Sequence, residues 1–81
     1  MKSILFTATW CSPCKNLKEY ASKHDINFSE VYDIDSDAGQ EMSAKHGIRG
    51  VPTSILLDGS KEVDRMVGFD MNKIANFKVG E

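Results

Sequence analysis

The only two cysteines of the chain, Cys11 and Cys14, lie close together in the segment Trp10-Cys11-Ser12-Pro13-Cys14-Lys15. Two thiols at this spacing can exchange electrons with a disulfide. One thiolate attacks it, and the second sulfur, one helical turn away, attacks the mixed disulfide that forms. A bridge between these residues would close almost no loop and would restrict the unfolded chain very little. A disulfide between these residues would therefore stabilise the fold very little, and the pair is a good candidate for redox chemistry.

The alternative use of a cysteine pair is half of a zinc site, which needs two further ligands. Beyond the pair, only His24 and His46 are available as histidine ligands. Neither the interval from Cys14 to His24 nor that from His24 to His46 matches a zinc-finger spacing. We therefore expect no metal, and we interpret both histidines as surface residues near helix C-termini.

The residues around the pair predict that Cys11 lies between the end of a strand and the start of a helix. Residues 2–7 contain the continuous apolar run Ile4-Leu5-Phe6, which is typical of a strand buried on both faces. A helix is expected to begin near Ser12-Pro13, because proline is tolerated in a first turn. One face of this helix would carry Cys14, Leu17, Ala21 and His24. The N–H groups and dipole of a helix N-terminus stabilise a thiolate, so we expect Cys11 to be the acidic, exposed thiol and Cys14 the buried one.

The rest of the chain predicts three strands and two helices. The strands are expected at residues 27–34, 52–57 and 61–67, with a hairpin turn at Asp58-Gly59. One helix should run from a cap within residues 35–37 to about His46, with Gly47 in the left-handed position. A last helix, capped by Asp70, would carry Met71, Ile74 and Phe77 on one side. We also interpret the methionines as core residues, namely Met42, Met66 and Met71.

This order of elements, βαβαββα, indicates an α/β domain with a four-stranded mixed sheet and helices on both faces. The first strand should lie centrally, the two βαβ units favour parallel pairing, and the hairpin adds an antiparallel strand. We expect residues 1–81 to form a single domain, because a chain of this length supports one modest core.

Composition excludes some classes of function. A net charge of −2 does not provide the basic face that nucleic-acid binding requires. No apolar run approaches the ~18 residues that span a bilayer, and the apolar run at the N-terminus is too short for a signal peptide. We therefore expect a cytoplasmic protein, monomeric, with neither nucleic acid nor membrane as partner.

Residues 10–15 resemble the active-site segment of thioredoxins, with Ser12 where most of them carry glycine. The stretch Gly47-Ile48-Arg49-Gly50-Val51-Pro52-Thr53 is similar to the one that leads to the family's cis-proline, and Gly68 stands where the family keeps a glycine beside the active site. The resemblance extends over nearly the whole chain. It implies a minimal thioredoxin fold without the extra N-terminal strand and helix of the longest members.

The resemblance also implies an activity, namely reduction of client disulfides by dithiol–disulfide exchange through a mixed disulfide at Cys11 and Cys14. No cofactor is implied beyond that cysteine pair. The bond before Pro52 would be cis, and the backbone of Val51 would pair with an extended client segment like an added strand. The residues implied in client binding are Trp10, Ser12, Pro13, Val51, Pro52 and Gly68. The partners implied are disulfide-containing proteins and a thioredoxin reductase-type electron donor, or glutathione.

Two departures from the family pattern leave alternatives open. Leu5 stands where thioredoxins usually bury an aspartate that assists proton transfer to the resolving cysteine, and Val31 stands where a lysine often accompanies it. The proton route at Cys14 is therefore unassigned. The chain is as short as a glutaredoxin, but it lacks the Cys-Pro-aromatic-Cys motif and carries Gly68-Phe69-Asp70 instead of a Gly-Gly pair. A glutathione-dependent glutaredoxin is one alternative, and a redox-inert binding module with the same fold is another.

Overall fold

The computed structural model describes residues 1–78, in which four strands form one mixed sheet. The strands are β1 (Lys2–Thr7), β2 (Glu30–Asp33), β3 (Thr53–Asp58) and β4 (Lys61–Val67), and the helices are α1 (Ser12–Lys23), α2 (Asp37–His46) and a 3₁₀ helix (Ile74–Phe77). The strand order is β2-β1-β3-β4, so β1 lies centrally as expected. The sequence predicts a single domain over residues 1–81. Residues 79–81 of it lie outside the part of the chain that the structure describes.

Both faces of the sheet are covered, which explains the continuous apolar run in β1. Side chains alternate along a strand, so Leu5 faces α1 and packs in a cluster with Leu17 and Ala21. Ile4 and Phe6 face the other way, into a second cluster against which Met42 of α2 packs. The expected α/β architecture with helices on both faces is confirmed.

β3 runs antiparallel to β1, whereas the second βαβ pattern predicted a parallel strand. Phe6 pairs with Thr53 and Lys2 with Leu57. The cause is the connection through residues 47–52, which brings the chain from α2 to the end of the sheet where β1 also ends. β3 therefore starts beside the C-terminal end of β1, next to the segment that carries the cysteines. Only β1 and β2 pair in parallel.

The last helix is shorter than expected and is not an α-helix. Residues 71–73 form a turn, and a 3₁₀ helix begins at Ile74. Ile74 and Phe77 are buried three residues apart, and a helix with three residues per turn places that pair on one face. Met71 stands before this helix and is 62% exposed, so its assignment to the core is wrong. Met66 is buried, and Met42 is half-buried against the second cluster.

The hairpin between β3 and β4 is displaced by one residue, because β3 begins after Pro52 and continues to Asp58. The turn is therefore formed by Gly59 and Ser60, and Gly59 has a φ of 65°. A bulge between Leu56 and Leu57 interrupts the register with β4. No helix among residues 1–78 is long and apolar enough to cross a membrane.

The ends of α2 are as expected. Ser36 is the N-cap, and its Oγ accepts a hydrogen bond from the Gly39 amide at 2.9 Å. At the other end Gly47 adopts the left-handed conformation with a φ of 64°. α2 lies so close to the end of β2 that a Cβ on Gly39 would stand 1.8 Å from the carbonyl oxygen of Asp33. A residue with a side chain cannot occupy position 39 without displacing the helix.

Candidate active site

Cys11 occupies the N-cap position of α1, and its sulfur performs the capping. Cys11 Sγ accepts a hydrogen bond from the Cys14 amide at 3.2 Å. The two cysteines form a disulfide with Cα atoms 5.2 Å apart. Cys11 is 6% exposed and Cys14 1%, so both cysteines are buried and the expectation of an exposed Cys11 is wrong, although Cys11 is the more accessible of the two residues. A thiolate at Cys11 would face a helix N-terminus and a backbone N–H, both of which stabilise negative charge.

The segment before β3 lies directly against the cysteine pair. Val51 packs with Ile34 on the cluster formed by Ala8 and the two cysteines. The carbonyl oxygen of Val51 is 3.7 Å from Cys11 Sγ, and the Val51–Pro52 bond is cis. The turn that carries this bond is fixed on one side by the Thr53 hydroxyl, which donates to the Gly50 carbonyl at 2.7 Å.

Gly68 lies beside this turn. Its amide donates to the carbonyl oxygen of Pro52 at 2.8 Å, and its φ of 84° is one that glycine adopts most easily. Trp10, Ser12 and Pro13 are exposed next to Cys11. All six residues implied in client binding are thus in one place: Trp10, Ser12, Pro13, Val51, Pro52 and Gly68.

Trp10 has a polar partner, Asp35, that was not among the expected site residues. Its indole N–H donates to Asp35 Oδ2 at 2.8 Å, while the side chain remains 66% exposed. A signal was present, because Trp10 follows β1, Asp35 follows β2, and parallel strands bring their carboxyl ends to one edge of a sheet. The hydrogen bond holds a broad apolar surface open to solvent beside the cysteines.

The positions at which the family usually carries an aspartate and a lysine are neighbours in this sheet. Leu5 and Val31 are register partners on β1 and β2. Both line a groove of about 470 Å³ between α1 and the edge of the sheet. An apolar pair therefore replaces the acid and the base that the resemblance implies at these positions.

Arg65 of β4 contacts the end of α2, from which the chain continues to the cis bond before Pro52. Its guanidinium donates to the carbonyl oxygens of His46 at 2.6 Å and Gly47 at 3.3 Å, where α2 ends. It also bonds the carboxylate of Glu62, which lowers the pKa of Glu62 and raises the pKa of Arg65. A cation at a helix C-terminus is favourable, so this contact stabilises the end of α2 from which residues 47–52 depart.

The two histidines have local roles. His24 follows the last turn of α1, and its ring lies 4.1 Å from that of Tyr20. His46 ends α2 beside Phe6, and burial lowers its pKa. Within residues 1–78, no group of three histidine, cysteine, aspartate or glutamate side chains is placed to hold a metal ion.

The sequence of this chain is similar to those of known proteins. The Thioredoxin family model matches residues 3–78. An SPbeta prophage-derived thioredoxin-like protein of Bacillus subtilis is 40% identical over 75 residues, covering 91% of this chain and 90% of that protein. The thioredoxin of Staphylococcus epidermidis is 34% identical over 73 residues, covering 85% of this chain and 69% of that protein.

The fold agrees with the sequence matches. The solved structure of Malassezia sympodialis thioredoxin superimposes with a TM-score of 0.73 at 28% identity, covering 95% of this chain and 74% of that one. The chain spans only 19% of the length of a TPR repeat-containing thioredoxin of Arabidopsis thaliana, to which it is also similar, against 90% of the Bacillus subtilis protein.

Proposed function

The chain belongs to the thioredoxin family of thiol–disulfide oxidoreductases, and we propose that it reduces the disulfides of client proteins by dithiol–disulfide exchange. The observation that carries the proposal is the placement of Cys11 Sγ at the N-cap of α1, where it accepts the Cys14 N–H. The same hydrogen bond can stabilise a thiolate at Cys11 when the disulfide is open.

The reaction then takes two exchanges. The Cys11 thiolate attacks one sulfur of the client disulfide, an S–S bond forms between Cys11 and the client, and the other client sulfur leaves as a thiolate. Cys14 loses its proton and attacks Cys11 Sγ, which releases the second client sulfur. The two client thiolates take up protons, and the two electrons they gained come from the cysteine pair, which ends as the Cys11–Cys14 disulfide.

The backbone beside the cysteines supports a binding mode for an extended client. The carbonyl oxygen of Val51 is within 4 Å of Cys11 Sγ, so a client strand that pairs with Val51 would pass over the attacking sulfur. Main-chain pairing demands little of the client sequence, which suits a reductant of many proteins. We assign the exposed side chains of Trp10, Ser12 and Pro13, with Gly68, to the surrounding contact surface.

We propose that the protein acts as a monomer in the cytoplasm, with this surface free for clients. The dithiol needs a donor that returns electrons to it, and a compartment that keeps thiols reduced supplies one. We propose a thioredoxin reductase-type protein, because the Cys-Ser-Pro-Cys motif and Trp10 are closer to thioredoxins than to glutaredoxins. Glutathione is the competing donor.

A donor experiment tests the proposal. Insulin reduction is followed with NADPH and a thioredoxin reductase, and separately with glutathione and glutathione reductase, with Cys11→Ser as the inactive control. Thioredoxin itself has a potential near −270 mV and glutaredoxins lie near −200 to −230 mV. We expect faster turnover by the reductase route and a potential near the thioredoxin value.

Two outcomes would contradict this assignment. Efficient glutathione turnover with a potential above about −220 mV would make the protein a glutaredoxin. Inactivity with both donors, with the thiols intact and a range of reductases tried, would favour a redox-inert binding module.

A further inference from the structure

Two buried hydroxyl groups on the α1 side of the sheet lack a hydrogen-bond partner among residues 1–78. They are Thr7 Oγ1 on β1 and Ser54 Oγ on β3. Both side chains are buried, Thr7 to 3% exposure. A buried hydroxyl without a partner is unfavourable, so such a group in a native protein calls for an explanation.

The topology places Thr7 and Cys14 at the same end of the domain. The chain reverses direction between the end of β1 at Thr7 and the start of α1 at Ser12, so α1 runs back along the strand. Leu5 packs in one cluster with Leu17. Thr7 is two residues further along β1 on the same face as Leu5, and Cys14 is one turn before Leu17 on the buried face of α1. Both steps lead toward the same end of the domain, so Thr7 and Cys14 lie at that end between α1 and the sheet, and in the disulfide form no hydrogen bond joins them.

Among residues 1–78, no charged side chain near Thr7 and Cys14 makes a hydrogen bond or an ion pair with Cys14 Sγ. On β2, Asp33 is the register partner of Thr7, and its Oδ1 accepts the Asp35 amide. On α1, Lys15 is exposed. On β1, the position of the family's buried aspartate holds Leu5, and neither Ser54 of β3 nor Pro52, which precedes β3, carries a charge.

We propose that the Thr7 hydroxyl donates a hydrogen bond to Cys14 Sγ when the disulfide is open, and so stabilises the thiolate that resolves the mixed disulfide. The inference rests on the exchange chemistry proposed above. A sulfur in a disulfide is a weak acceptor and a thiolate is a strong one, so the interaction favours the reacting form. Thr7 keeps its proton throughout, while the proton lost by Cys14 passes to solvent and in turn to the departing client thiolate.

The test isolates the attack by Cys14 without a client protein or a reductase. Reduced protein is mixed with the small aromatic disulfide dithiobis-nitrobenzoate in a stopped-flow instrument. Cys11 releases the first thionitrobenzoate, and Cys14 releases the second by attacking Cys11 Sγ. Replacing Thr7→Val keeps the shape of the side chain and removes the hydroxyl. We expect the second release to slow about tenfold at neutral pH, with its pH midpoint moved upward, and the first release to be unchanged.

Three further variants separate the hydroxyl from packing. Thr7→Ser keeps the hydroxyl and loses the methyl group, so its second release should stay near the wild-type rate. Ser43→Ala removes an unpartnered buried hydroxyl on α2, on the other side of the sheet, and Ser54→Ala removes the neighbouring one on β3. Both should leave the second release unchanged.

The inference is overturned if Thr7→Val resolves at the wild-type rate, if Thr7→Ser slows as much as Thr7→Val, or if Ser54→Ala alone slows the step. These outcomes are independent of the proposed function. A protein that fails to reduce insulin with any donor would refute that function and still give a second release rate.

Discussion

Replacing Gly39→Ala should destabilise the protein, although alanine is the better helix former. The added Cβ would stand 1.8 Å from the carbonyl oxygen of Asp33, whereas such contacts do not fall below 3.0 Å. The start of α2 and the end of β2 must therefore move apart by roughly 1 Å. That movement disturbs the N-cap, because Ser36 Oγ bonds both the Asp33 carbonyl at 2.6 Å and the Gly39 amide at 2.9 Å.

The magnitude follows from three contributions to the free energy of unfolding. Overpacking costs about 1–3 kcal/mol. Loss of an N-cap costs about 1 kcal/mol. The higher helix propensity of alanine returns about 1 kcal/mol. We expect a net loss of about 1–3 kcal/mol, which lowers the melting temperature of a domain of this size by at least ~4 °C.

The assay is urea unfolding of the oxidised protein, with a thermal melt beside it. Gly50→Ala is the matched control, because a Cβ there meets nothing within 4 Å and should change stability little. The close-approach argument is refuted if Gly39→Ala is as stable as the wild type, or if the control loses as much stability. A changed slope of the unfolding free energy against urea would show that a two-state comparison does not apply.

Three other predictions concern the site and its support. Cys14→Ser should accumulate a covalent client adduct on non-reducing gels and Cys11→Ser should not, because only the first variant keeps the attacking thiol; equal trapping by both would contradict the roles assigned. Pro52→Ala should lower the rate of insulin reduction more than the rate with a small disulfide, since only a protein client uses the backbone of Val51, and equal losses would remove the strand-pairing model. Because Arg65 holds the pKa of Glu62 below its ordinary value of 4.5, their interaction stabilises the fold above that pH and is lost as the pH falls through the lowered pKa. The stability deficit of Glu62→Gln against the wild type, measured by urea unfolding, should therefore shrink below pH 4.5, and a deficit that stays constant there would refute the contribution of the ion pair.

Local patterns were sufficient to predict most of the secondary structure. β1 and β4 have the bounds expected from the sequence; the N-cap of α2, Ser36, is one of the three residues expected to cap it, and Gly47 ends it as expected. The physical reason is that apolar periodicity, caps and glycine turns act within a few residues. The last helix was overestimated because the spacing of Ile74 and Phe77 is compatible with both an α-helix and a 3₁₀ helix.

Contacts between distant segments needed the tertiary structure. The antiparallel direction of β3 depends on the path that residues 47–52 take from the end of α2 to the start of β3. No local sequence pattern encodes that path. The same applies to the hydrogen bond from Trp10 to Asp35 and to the two hydrogen bonds from Arg65 to the end of α2.

The sequence by itself indicated the chemistry of the protein, because two cysteines at the start of a predicted helix favour thiol exchange and the helix start stabilises the thiolate. It also identified the absence of a carboxylate at position 5. The tertiary structure decided what replaces it and what surrounds the sulfurs. Thr7 reads as an ordinary strand residue in the sequence, and only the reversal of the chain between β1 and α1 places its buried, unpartnered hydroxyl at the end of the domain that holds Cys14. Burial and unsatisfied hydrogen bonds belong to the packed chain, since both depend on segments that meet only when the domain folds.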